Sequence, residues 1–280
     1  MESSPDLDFE FIDDNNIQNT NAVLLFHGLT GSTFEMKKYA QHLHANGFDV
    51  FAYCLPGHGE DTCNIRCVSY DDWIEFAQEK FLFLKKKYKK VFLGGLCLGA
   101  VLALVLAQKH KLEVAGVISL STTLFLDGWT MPWYNFMMPL GLNTLIRYYY
   151  TFPEREPYGI KNIKKRRSIQ KIMGKNTIAM DNYPLSCVYE LLKLSKLARK
   201  NMKEVISPIL IIHSKEDDLT SVKSAKFVYN NISSNCKQFF ILDNSYHLML
   251  YDNDKDFVFD KSVEFLNTLK QNEEVISNVS

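Results

Sequence analysis

Two hydrophobic rhythms alternate along the chain. Ala22–Phe26 and Asp49–Tyr53 are short apolar runs rich in strand formers, and Val91–Gly94, Val114–Ser119, Pro208–Ile212 and Gln238–Leu242 repeat the pattern. Between and after them lie stretches with helical spacing, notably 34–46 and 71–86. A strand with one wet face would alternate apolar and polar residues, so continuous apolar strands belong in a sheet covered on both sides. The alternation with helices therefore predicts an α/β fold with a mainly parallel central sheet flanked by helices.

One interval breaks this rhythm. About ninety residues separate the run ending near Ser119 from the one beginning at Ile209, with aromatics concentrated early: Trp129, Trp133, Tyr134, Phe136, Tyr148, Tyr149 and Tyr150. A structureless loop of that length does not suit a compact fold, so the spacing predicts an inserted, mostly helical lid. The expected division is an acidic N-terminal segment over 1–20, core over 21–122, lid over 123–205 and core again over 206–280.

Composition narrows the function classes. A chain of 280 residues is long enough for one large α/β domain with an insertion. Its 32 Lys plus Arg equal its 32 Asp plus Glu, so the molecule offers no overall field for nucleic acid or an anionic membrane. The first sixteen residues, MESSPDLDFEFIDDNN, have neither the basic leader nor the apolar run of a signal peptide. No apolar run reaches the roughly 18 residues of a membrane span, and the expectation is a soluble, cytoplasmic protein. The cysteines at 54, 63, 67, 97, 187 and 236 show no zinc-ligand spacing, so reduced thiols and no structural metal are expected.

The candidate chemistry lies in Gly94–Ala100, GGLCLGA, which follows the Val91–Leu93 strand and leads into the apolar stretch Ala100–Gln108. Gly95-Leu-Cys97-Leu-Gly99 has the spacing of a nucleophile elbow, where a strand turns sharply into a helix and presents one residue at the turn. Positions two before and two after the nucleophile must be tiny, and both are glycine. A cysteine stands where serine is usual. The plain alternative for Cys97 is a small buried hydrophobe.

Downstream residues supply partners in the order nucleophile, acid, histidine. Asp217 follows the Ile211–His213 strand end, with Asp218 as its neighbouring competitor, and His247 follows the strand ending at Leu242, with Asp243 nearby. Of the other histidines, His42 and His44 belong to an amphipathic helix, His110 to a helix C-terminus, and His213 and His27 to structural positions. An oxyanion hole needs two backbone N–H groups. Leu98 would give one at the start of its helix, and the loop His27-Gly-Leu-Thr-Gly-Ser32 would give the other at Leu29.

His27-Gly-Leu-Thr-Gly-Ser32, Pro56-Gly-His-Gly59, Asp72-Trp73, Gly95–Gly99, the acid near 217 and Ser245-Tyr-His247 together resemble the small bacterial carboxylesterases and monoacylglycerol lipases of the α/β-hydrolase superfamily. The resemblance runs from about residue 20 to 270 and fails mainly across the insertion. It implies Cys97 as nucleophile, Asp217 and His247 as its partners, and Leu29 and Leu98 as oxyanion donors. Its departure is the cysteine, in which the chain is similar to dienelactone hydrolases and polyhydroxyalkanoate synthases.

A thiol titrates near 8.5 when free and lower beside an imidazole or a helix N-terminus. Thiolate is also a far better leaving group than alkoxide, so attack on a simple alkyl ester mostly reverses. The expected substrates are activated esters or thioesters, and an acyl-thioenzyme can pass its acyl group to water, an amine, an alcohol or a thiol. Trp129 and Trp133 are candidates for the roof of an acyl pocket. From Pro157 to Met180 there are seven basic residues (Lys161, Lys164, Lys165, Arg166, Arg167, Lys171, Lys175) and no acid. The plainer reading is a solvated helix face. The sharper one is a docking surface for an anionic acyl carrier.

The leading expectation is a Cys-His-Asp acyl hydrolase needing no cofactor. Acyl transfer through the same intermediate is the alternative, and a non-catalytic binding protein is the third.

Overall fold

The computed structural model describes residues 7–13, 20–59, 65–131, 142–153, 155–170 and 182–277. In chain order its strands are β1 (Phe9–Phe11), β2 (Asn21–Phe26), β3 (Asp49–Ala52), β4 (Lys90–Leu96), β5 (Gly116–Leu120), β6 (Thr151–Pro153), β7 (Asn182–Pro184), β8 (Ile209–Ser214) and β9 (Lys237–Leu242). Seven of them form one sheet in the order β1-β3-β2-β4-β5-β8-β9. All neighbours from β3 to β9 are parallel, and only β1 runs antiparallel at the edge, pairing Glu10 with Phe51. The mainly parallel sheet is the one expected from the buried apolar runs.

Alternating side chains divide the core into two layers. Ala22, Leu24 and Phe26 of β2 pack with Val91 and Leu93 of β4 on one face, while Val23 and Leu25 pack with Phe92 on the other. The second face is covered by α1 (Lys37–Ala45) and the long C-terminal helix. The first face is covered by α2 (Tyr70–Lys85) and α3 (Leu98–His110). α3 is buried from Leu98 to Gln108, so its apolar residues run all round the helix rather than along one stripe. α2 starts with a capping box: Ser69 Oγ accepts from Asp72 N, and Asp72 Oδ2 accepts from Ser69 N at 2.7 Å. Next to it, Trp73 is fully buried and donates through Nε1 to Pro56 O at 3.1 Å.

Between β5 and β8 the described residues include α4 (Ile146–Tyr149), α5 (Ile163–Gln170) and α6 (Leu185–Lys200). They also include a two-stranded antiparallel ribbon, β6–β7, in which Phe152 faces Tyr183. The interval is thus not helical throughout. Its last helix, α6, buries Leu191, Leu194 and Ala198 in the first-face core beside α3, and Gln108 of α3 donates to Ala198 O at 2.8 Å. The fold closes with α7 (Lys223–Asn231) and α8 (Lys255–Ser277).

Within the acidic N-terminal segment the described residues include β1. Phe9-Glu-Phe11 alternates across the sheet edge, and its acids have partners: Tyr53 donates to Glu10 at 2.6 Å and Cys54 N to Asp8 at 2.7 Å. Among the described residues no helix is long and apolar enough to cross a membrane. Cys54, Cys67, Cys97, Cys187 and Cys236 form no disulfide.

Candidate active site

β4 delivers Cys97 and α3 begins with the next residue, so Cys97 sits on the turn itself. Its backbone has φ 57° and ψ −114°, a region that non-glycine residues avoid and that stores strain of order 1–3 kcal/mol where the surroundings enforce it. The enforcement is visible at the two glycines. A Cβ on Gly95 would lie 2.3 Å from Gly99 O, and a Cβ on Gly99 would lie 2.1 Å from Phe26 O. The turn closes only because both positions lack a side chain. Cys97 N donates to Leu120 O at 3.0 Å, tying the bend to β5.

The loops after β8 and β9 bring the acid and the histidine together. Asp217 Oδ1 and Oδ2 lie 3.0 Å and 2.9 Å from His247 Nδ1. Asp217 Oδ1 also accepts Leu219 N and Thr220 N, each at 2.9 Å. Burial works against the Asp217 charge and is the strongest single influence on it. His247, His213 and the Thr220 amide together outweigh burial and hold the carboxyl below its usual range.

His247 shows the opposite balance. Burial alone would favour the neutral ring, but the charge of Asp217, then the proximity of Cys97, and the Asp217 hydrogen bond raise its proton affinity well above the ordinary histidine value. With Nδ1 occupied by Asp217, the inward atom is Nε2, which is buried and makes no hydrogen bond among the described residues. The interaction with Cys97 is therefore one of proximity in this state. Cys97 and His247 are each only 5 % exposed.

Asp218 does not meet the ring. It accepts the backbone N–H of His247 at 3.2 Å and that of Gly159 at 3.2 Å, so it fixes the histidine's main chain. Ser121 Oγ donates to His247 O at 2.7 Å, and Ser214 Oγ donates to Tyr246 O at 2.8 Å. Asp252, fully buried, accepts Tyr246 N at 2.9 Å together with Lys161 N at 2.6 Å and Asn162 N at 3.0 Å. Asp218 and Asp252 thereby fasten the stretch 159–162 of the interval against the histidine loop. Asp243, in contrast, is exposed and pairs with Lys215.

The loop after β2 lies beside the elbow. Gly28 lies against Cys97, with 3.5 Å between the Cβ of Cys97 and one built on Gly28. His27 Nε2 accepts Leu55 N at 2.9 Å, so Nδ1 carries the proton and donates to Gly28 O at 2.8 Å. Since the peptide is planar and trans, fixing the Gly28 carbonyl fixes the Leu29 N–H on the opposite edge. That N–H has no partner among the described residues. The Leu98 N–H, at the first position of α3, has no acceptor within its helix and lies at the positive end of the dipole.

Behind this loop His58 Nε2 lies 2.7 Å from Leu29 O, and its ring meets that of His27 edge-on at 4.8 Å. Burial, and then the His58 charge, push His27 down to about 3 despite the Gly28 bond; burial likewise pushes His58 down to about 4. Both are neutral structural rings. Glu35 accepts Gly28 N, and burial pushes its carboxyl up to about 7, against the opposing pull of the Gly28 amide and His247.

Of the residues singled out in sequence, Cys97, His247, Asp217, Leu29 and Leu98 meet at one place. Trp129 is 58 % exposed, rests edge-on against Tyr246 at 5.4 Å and donates to Glu216 O at 3.0 Å. Trp133 lies outside the described residues, as do Cys63, Lys171 and Lys175. Three of the remaining basic side chains are engaged internally: Lys161 with Glu216, Lys165 with Asp252 O at 2.7 Å, and Arg166 with Ile160 O at 2.9 Å. Glu35, Ser121, Thr123 and Asp252 were not legible as site residues. Glu35 comes from a short 3-10 helix just past the His27–Ser32 loop, and the others from stretches whose sequences carry no motif. Among the described residues no group of three or more His, Cys, Asp or Glu is arranged to hold a metal ion.

Comparison with known proteins agrees with this architecture. The chain is 26 % identical over 247 residues to a thermostable monoacylglycerol lipase of Bacillus sp. (strain H-257), covering 87 % of this chain and 89 % of that protein. It is 24 % identical over 249 residues to a carboxylesterase of Bacillus subtilis (strain 168), covering 89 % and 93 %. Its fold matches the crystal structure of a monoacylglycerol lipase from Paleococcus ferrophilus with a TM-score of 0.78 at 17 % identity, covering 96 % and 100 %. A soluble variant of monoglyceride lipase from Saccharomyces cerevisiae matches with a TM-score of 0.77 at 19 % identity, covering 94 % and 91 %. With residues 17–254 matched by the Hydrolase_4 family model, described as serine aminopeptidase, S33, the chain belongs to that family of α/β-hydrolases.

Proposed function

We propose that this chain is a carboxylic ester hydrolase whose nucleophile is Cys97, acting through a covalent acyl-thioenzyme. The observation that carries the reading is the buried line of three groups: Asp217 on His247 Nδ1, and Cys97 close enough to His247 to raise its proton affinity. In this scheme His247 Nε2 takes the thiol proton as Sγ bonds to the acyl carbon. The carbonyl oxygen gains the charge and is met by the Leu29 and Leu98 N–H groups. Collapse breaks the bond to the alcohol or thiol leaving group, which takes the proton from His247. Water then attacks the thioester, His247 accepts its proton, and collapse expels Cys97 Sγ with release of the carboxylic acid.

Sulfur leaves more easily than an alkoxide, so activated donors such as thioesters and aryl esters are the favoured substrates. Trp129, beside the neighbour of His247, is assigned to the rim of the acyl site. An anionic carrier on the basic stretch draws less support, because Lys161, Lys165 and Arg166 are already partnered.

The test is intact-mass analysis of the protein mixed with acyl thioesters and aryl esters of graded chain length, beside Cys97→Ala. An acyl adduct on the unmutated protein alone, decaying in water, is the expected result. Decay that requires added amine or alcohol would assign transfer instead. Absence of both adduct and turnover would overturn the proposal in favour of a binding protein.

A further inference from the structure

Position 97 has a second polar neighbour that the scheme above does not use. Thr123 follows β5 in the loop Ser121-Thr-Thr123, and its Oγ1 stands 3.3 Å from Cys97 Sγ. The same oxygen stands 3.1 Å from Ser121 O. A threonine hydroxyl has one proton and here two acceptors, so it must choose.

The charge on sulfur decides the choice. A neutral thiol or thioester sulfur is a weak acceptor, and the proton then belongs to the Ser121 carbonyl. A hydrogen bond to an ionised acceptor is roughly twice as strong as a neutral one, so when Sγ becomes negative the proton turns to it. Only the O–H bond rotates, because both acceptors are already within reach. Thr123 is 1 % exposed, which leaves little room for water to do the same work.

The surroundings hold the threonine in place for this. Its carbonyl accepts Ser195 Oγ of α6 at 2.8 Å, and the next two amides, of Leu124 and Phe125, donate to Ser224 Oγ of α7 at 3.3 Å and 3.1 Å. Ser121, two residues earlier, has φ 43° and donates to the His247 carbonyl. One short loop thus reaches the sulfur and the base together.

We propose that Thr123 is a catalytic residue of this site, the hydroxyl donor that receives Cys97 Sγ whenever that sulfur carries charge. The inference rests on Cys97 being the nucleophile. It assigns the hydroxyl two moments of action: the approach of sulfur to the acyl carbon, and the departure of sulfur when the thioester is hydrolysed. No bond to Thr123 itself forms or breaks.

The experiment compares unmutated protein with Thr123→Val, which keeps shape without the hydroxyl, and with Thr123→Ser, which keeps the hydroxyl. The readout is the pH profile of alkylation of Cys97 by iodoacetamide, followed on the peptide that contains it because Cys67 and Cys236 are exposed. Thr123→Val should move the profile to higher pH and slow alkylation at pH 7 by about ten-fold, the low end of what a hydrogen bond to a charged group contributes. Thr123→Ser should stay within roughly two-fold of the unmutated rate, since the charge-assisted bond is retained. Superimposable profiles for valine and threonine would overturn the inference. If Thr123→Val fails to fold, Thr123→Ala removes the same donor and is held to the same expectation. Alkylation needs no acyl chemistry, so failure of the acyl-adduct test and failure of this one are separate results.

Discussion

Cys97 and a serine in its place would meet the same imidazole but differ in which bond breaks when the tetrahedral adduct collapses. Cys97→Ser is therefore expected to lower turnover of thioesters and aryl esters relative to simple alkyl esters, measured as the ratio of kcat/KM values. An unchanged ratio would mean that the sulfur does not set substrate preference. Asp217 lies on the other side of the ring. Asp217→Asn removes the charge that favours the His247 imidazolium and presents a donor to Nδ1, so kcat should fall by about 10²–10⁴ while the protein stays folded. Retention of full kcat would remove Asp217 from the reaction. Cys97, Asp217 and His247 were singled out in the sequence because each ends or follows an apolar strand, in the chain order nucleophile, acid, histidine. The choice of Asp217 over its neighbour Asp218 had no local pattern behind it. Asp217 and Asp218 are adjacent, and only the direction of their side chains, one to the ring and one to the backbone N–H, separates them.

At the scale of elements, the elbow couples β4, α3 and β2 through two glycines. Gly99→Ala pushes a methyl group into Phe26 O, which is main chain of β2 beside the central strand and has nowhere to go. Loss of about 3 kcal/mol or more is expected, in the range of severe core overpacking, and urea unfolding would measure it. A change under about 0.5 kcal/mol, the size of an ordinary surface substitution, would refute the account of the turn. The capping box at α2 offers a milder case: Ser69→Ala should cost about 1 kcal/mol by the same measurement. The six long strands were visible as apolar runs, whereas β1, β6 and β7 were not. Each has three residues, too few for a period, and each gains its identity from a partner strand far away along the chain.

At the scale of the molecule, buried neutral histidines give the fold a pH dependence. The folded values of His27 and His58, about 3 and about 4, lie below the unfolded value near 6.5. From pH 6.5 down to about 4 the unfolded chain binds protons that the folded chain refuses, so this stability is present above the unfolded value and is lost as pH falls. Glu35 acts in the opposite sense, because its value of about 7 lies above the unfolded one; its contribution is full below about 4.5 and is lost as pH rises through 7. Replacing His58 by Gln should flatten the acid limb of the urea midpoint by up to one proton, about 1.4 kcal/mol per pH unit. A limb of unchanged slope would show that His58 is protonated in the folded state.

The sequence by itself determined the layered architecture, the sharp turn at position 97 and the chain order of its partners, because these depend on local spacing: apolar period, glycine position and distance from a strand end. Tertiary structure alone decided which of two adjacent aspartates meets the ring, which carbonyl the His27 proton fixes, and that Glu35, Thr123 and Asp252 border the site. Those facts depend on loops from separate strands converging at one edge of the sheet. No local pattern records where such loops meet.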